Sequence, residues 1–110
     1  MDKQTIQKIL DVVDDKRVIE FEQSIVRIPS FTTEETQLAS HIVNYLQGIG
    51  GLEVELQEVS LEDRKTSHNA VARLRGTGDG PTLLIFGHMD HGPILGRDYA
   101  AHELEGWIHK

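Results

Sequence analysis

The 110-residue chain contains no cysteine. That excludes disulfide scaffolds, thiolate metal sites and cysteine nucleophiles together, and it leaves the redox compartment unreadable. Positive charge is also scarce. Eleven Lys and Arg stand against 18 Asp and Glu, for a formal net charge of −7. A surface that negative repels phosphate backbones and anionic headgroups, so neither nucleic acid nor a membrane is expected as a partner. Long apolar runs are missing too. The longest, Leu83-Leu84-Ile85-Phe86, falls far short of the ~20 residues of a membrane span. The start, Met1-Asp2-Lys3-Gln4-Thr5, has no basic stretch leading into an apolar one, as a secretory signal would. A cytoplasmic location is the resulting expectation. What is present, 38% apolar and 26% charged residues, is ordinary for a folded chain, and the length fits one domain rather than two.

Ile6, Ile9, Leu10, Val13, Val18, Phe21, Ile25 and Ile28 recur in steps that fit one apolar helical stripe. Asp14-Asp15-Lys16 interrupts it, which reads as a short lead-in helix followed by a second, stopped before Pro29. Thr32 or Thr33 is expected to cap a further helix, with Glu34 and Glu35 in its first turn at the positive end of the dipole. Leu38, Ile42, Tyr45, Leu46 and Ile49 form its apolar face, and Gly48, Gly50 and Gly51 end it. From Leu52 the period changes to two, predicting a half-exposed strand through Leu56 and a second one over residues 69–75. A third strand, Thr82–Phe86, reads as buried on both faces, with Gly76–Pro81 as the hairpin turn before it. The implied fold is α/β, helices followed by strands of a mixed sheet.

One constellation carries chemistry. The buried strand runs into Gly87-His88-Met89-Asp90-His91-Gly92, and in open α/β sheets the carboxyl ends of strands face the site crevice. Residues two apart in extended chain point to the same side, so His88 and Asp90 can act together. An imidazole binds metal through one nitrogen while a carboxylate orients the other. On that reading His88 is a metal ligand and Asp90 a ligand or orienting partner. On the other, both merely cap backbone groups at a strand end. His91 points away and reads as a surface histidine, as do His68, His102 and His109. Gly76, Gly78 and Gly80 open no helix and lack a P-loop lysine. Ser24 and Ser30 have no glycine-flanked elbow, and His41 with Tyr45 reads as a partly buried helix face. Glu53, Glu55, Glu58 and Glu62 read as a solvated strand edge.

The order of these motifs resembles the start of the metallopeptidase family that includes acetylornithine deacetylase, succinyl-diaminopimelate desuccinylase, aminoacylase and glutamate carboxypeptidases. The resembling residues are Ile25-Val26-Arg27-Ile28-Pro29-Ser30 with Glu34-Glu35, and then Asn69-Ala70-Val71-Ala72-Arg73-Leu74-Arg75-Gly76. Gly80-Pro81 leads on to Leu83-Leu84-Ile85-Phe86-Gly87-His88-Met89-Asp90, with Trp107 beyond. The resemblance spans roughly residues 16–110. It implies a hydrolase with two cocatalytic metal ions, usually zinc with cobalt or manganese as alternatives, that cleaves an amide bond of an N-acyl amino acid or small peptide. The residue matching His88 would bind one metal, and the catalytic residue matching Asp90 would support that histidine. Here His91-Gly92 stands where family members carry small or apolar residues.

In the family the bridging aspartate, the general-base glutamate and the remaining ligands lie further downstream, followed by a dimer-forming domain. Residues 1–110 therefore read as the N-terminal portion of a catalytic domain, inactive alone, from a protein that is a homodimer at full length. Two alternatives remain. The metallo-β-lactamase type carries His-x-His-x-Asp-His, whose second half matches His88–His91, but Phe86 occupies the place of the first histidine. The other alternative is a small non-catalytic α/β module that binds a partner, in which Thr82–Phe86 would be covered within the chain itself.

Overall fold

Aspartates start the first two helices. The computed structural model, which describes residues 1–92, places α1 at Lys3–Leu10 and α2 at Asp15–Val26. The Asp2 carboxylate accepts the Thr5 N–H at 2.8 Å and Asp14 accepts the Arg17 N–H at 3.1 Å. Each satisfies a donor that a helix start leaves over. The break at Asp14 is thus a true helix boundary. Much of the apolar stripe ahead of it, including Ile6, Ile9, Leu10 and Val13, stays exposed.

The third helix, α3, runs Thr36–Ile49 and starts later than its sequence signals imply. Neither Thr32 nor Thr33 caps it. Glu35 stands at the cap position without a side-chain cap bond, and the first turn holds no acid. The reason lies in competing bonds. The Thr32 hydroxyl donates to Asp90 and the Thr33 N–H to the Glu35 carboxylate. Thr33 also takes φ 78°, outside any helical start. Leu38, Ala39 and Val43 of α3 form the buried apolar core, and Gly50, at φ 79°, ends the helix as its type allows.

A two-stranded antiparallel sheet follows, β1 Glu53–Ser60 and β2 Thr66–Arg73, with the register running from Glu53 opposite Arg73 to Ser60 opposite Thr66. The second strand begins three residues before the apolar pattern does. Thr66, Ser67 and His68 are polar, yet pairing with Val59 and its neighbours brings them into the ladder; cross-strand partners outweigh intrinsic preference here. Arg75 forks onto Glu53 at 2.5 and 3.1 Å. The hairpin packs on α3, and α2 packs on the same helix. There Phe21 stacks on Tyr45 with ring centroids 4.1 Å apart, and Ser24 Oγ lies 2.9 Å from His41 Nε2.

The described residues therefore form a small α/β fold of three helices and then a hairpin. The expected third strand is not among the described elements. Leu83, Leu84, Ile85 and Phe86 are 81%, 78%, 84% and 88% exposed, and Gly76–Pro81 accordingly joins no hairpin. Four consecutive large apolar residues form a stable strand only when both faces are covered and a neighbour supplies the ladder. Neither the hairpin nor the helices provide that. Among the described residues no helix is long and apolar enough to cross a membrane. Trp107, His102 and His109 lie outside the described residues.

Candidate functional site

The loop between α2 and α3 and the segment 87–92 meet side by side, although some sixty residues separate them in sequence. Ser30 makes the join. Its N–H donates to His91 Nε2 at 3.2 Å, its hydroxyl donates to the Met89 carbonyl at 2.7 Å, and its carbonyl accepts the His91 N–H at 2.9 Å. With every polar group partnered, Ser30 sits only 3% exposed, as buried polar groups must. Phe31 and His91 pair as a parallel bridge, their rings edge to face at 4.6 Å. His91 is exposed, as its sequence context implies, yet it is engaged: Nε2 accepts from Ser30 and Nδ1 lies 2.9 Å from the Gly92 carbonyl.

That join carries His88 and Asp90 into one unit. His88 Nδ1 lies 2.9 Å from the Asp90 carbonyl oxygen and 3.1 Å from Asp90 Oδ1. Both neighbours are acceptors only, so Nδ1 carries the proton and Nε2 presents its lone pair. Among the described residues Nε2 has no hydrogen-bond partner. The Asp90 carboxyl is held below its ordinary value, chiefly by the Thr32 hydroxyl, which donates at 2.7 Å; burial opposes this, and His88 adds to the lowering.

The unit borders a cleft of about 260 Å³ lined by Thr32, Glu35, Ser67, Asn69, His88 and Asp90, with others. Glu35 accepts the Thr33 N–H at 2.8 Å and the Ser67 hydroxyl, tying the loop to β2. Burial works against its charge, as does Asp90 nearby, but the Ser67 hydroxyl and the Thr33 N–H outweigh both and lower its pKa. A carboxylate whose folded pKa is lowered stabilises the fold in full above its unfolded value of ~4.3, and that contribution is lost as pH falls through the folded value. Glu35→Gln is therefore expected to flatten the acid side of the stability profile below about pH 5. Urea midpoints measured from pH 3 to 6 test this, and identical slopes for both proteins would refute it.

Other polar pairs tie elements together. Thr36 Oγ1 meets His68 Nδ1 at 2.8 Å, joining α3 to β2; His68 is thus a bound residue, not the surface one its polar neighbours imply. Ser24 donates its single proton to the Phe21 carbonyl at 2.7 Å, so His41 must donate to the Ser24 oxygen. A hydroxyl committed that way is no nucleophile.

Among the described residues no three His, Asp or Glu side chains gather as a metal cage. His88 offers a single nitrogen. The roles of Ser30, Thr32 and Glu35 escape residue-by-residue reading, their one trace being the alternation Pro29-Ser30-Phe31-Thr32, which sets two hydroxyls on one side of an extended stretch. No family model, curated protein or solved structure matches the chain.

Proposed function

We propose that the chain supplies the first ligand, His88, of a metal-dependent amidohydrolase or peptidase, as the N-terminal part of its catalytic domain. Its substrate class is an N-acyl amino acid or small peptide, and its metal is zinc, two ions in the complete site. The observation that supports this reading is the His88–Asp90 unit. A carboxylate and a carbonyl hold the proton on Nδ1, which leaves the Nε2 lone pair open beside a cleft, as a metal-binding histidine requires. The chemistry of the bound metal would be to lower the pKa of water and polarise the scissile carbonyl. His88 binds and orients, and Asp90 keeps the imidazole in the binding tautomer. A catalytic zinc takes three protein ligands, so His88 would need partners beyond those that the described residues bring together. The mixed sheet that Leu83–Phe86 would join belongs to the same proposal.

Titration of the chain with Co²⁺ tests the ligand. The ring signals of His88, the most exposed of these rings, are expected to broaden at lower Co²⁺ than those of the half-buried His41 and His68, each held through one nitrogen, and of His91, held through both. His88→Ala removes this first phase. Broadening without preference for His88 would sink the assignment. The isolated chain is expected to show no hydrolysis of N-acyl amino acids or dipeptides; chelator-sensitive turnover would overturn its reading as part of a larger domain.

A further inference from the structure

We infer that Thr32 is a positioning residue for His88, acting through the Asp90 carboxylate; this rests on the metal reading of His88. The His88 side chain is 86% exposed, so packing does not fix its ring. What restrains it is hydrogen bonding at Nδ1, and the partner there is itself held. Thr32 donates to Asp90 Oδ2 at 2.7 Å, which leaves Oδ1 turned to His88 at 3.1 Å. A hydroxyl has one proton and a carboxylate only acceptors, so the relay runs one way: Thr32 to Asp90, and His88 Nδ1–H to Asp90.

Thr32 is placed by its neighbours on both sides. Upstream, Ser30 is bonded three times to Met89 and His91, and Phe31 packs on the His91 ring. From the position after that bridge the Thr32 hydroxyl reaches back to the Asp90 carboxylate. Downstream, Thr33 is forced to φ 78°. A β-branched residue rarely adopts the left-handed region, and such conformations persist only where surrounding bonds impose them. Here the bonds are those of Glu35 to the Thr33 N–H and to Ser67. The loop is therefore anchored to the 87–92 segment at one end and to β2 at the other, and the Thr32 hydroxyl is fixed between them.

The test uses Thr32→Val, which keeps the shape and removes the hydroxyl, and Thr32→Ser, which restores it. Thr32 is exposed, so neither change threatens folding; the amide spectrum away from the loop serves as the check. In the metal-free chain, nitrogen-15 spectra of the His88 ring are expected to show a proton held on Nδ1. In Thr32→Val the two ring nitrogens move toward the average of both tautomers, and Thr32→Ser returns them. The Co²⁺ concentration that broadens His88 rises about 10-fold in the valine variant, the lower end of the effect of such supporting partners. If the wild-type ring ignores Co²⁺ but the valine variant still shifts its nitrogens, the positioning role stands and the metal reading falls. Ring nitrogens in Thr32→Val that match the wild type would overturn the inference.

Discussion

Leu38→Ala is expected to lower the stability of the chain by about 2–5 kcal/mol, the usual range for truncating a buried leucine. Leu38 is 5% exposed, and its only buried apolar companions among the described residues are Ala39 and Val43. With so few contributors, the cavity has little neighbouring side chain able to collapse into it. A domain of this size holds roughly 5–15 kcal/mol in all, so the substitution removes a large share. Urea unfolding followed by circular dichroism measures it. Leu10→Ala, at a position 57% exposed on α1, is the control and is expected to stay within about 0.5 kcal/mol. Equal shifts for the two variants would show that α3 does not carry the core.

The helices and the two strands were legible because their signals are local; that the strands pair with each other was not. Steps of three and four residues, a charged break in the stripe at Asp14-Asp15-Lys16 and glycines behind a helix act within a few positions, and α1, α2 and the end of α3 follow them. The start of α3 was not legible, since Thr32 and Glu35, both good local helix-start residues, bind partners far along the chain. The same long-range bonding drew Thr66–His68 into β2. The pairing of His88 with Asp90 was readable from a spacing of two. Its anchoring was not, because Ser30 meets Met89 and His91 across some sixty residues, and nothing in either segment alone names the other. The apolar run Leu83–Phe86 was read as a strand from composition, but a ladder needs a second chain segment, which the described residues do not supply.

That run makes the sharpest prediction about the whole chain. Monomeric proteins seldom expose contiguous apolar patches beyond a few hundred square ångströms, and an unpaired extended apolar segment invites pairing with another strand. The chain is therefore expected to bind an apolar dye strongly and to self-associate in gel filtration. Leu84 and Phe86 alternate onto one side of an extended stretch. Leu84→Lys with Phe86→Glu is expected to cut the dye signal by at least half and move the chain toward the monomer. The result separates the two functional classes. A dye-silent, monomeric wild type would mean that the segment is covered in solution, as in a self-contained module that binds a partner without catalysis. Strong dye binding relieved by the two charges fits a strand built to lie inside a larger sheet. It would then lead into His88 at its carboxyl end, where α/β sheets hold their sites, and the proposed ligand would owe its final position to neighbours on both sides of that strand.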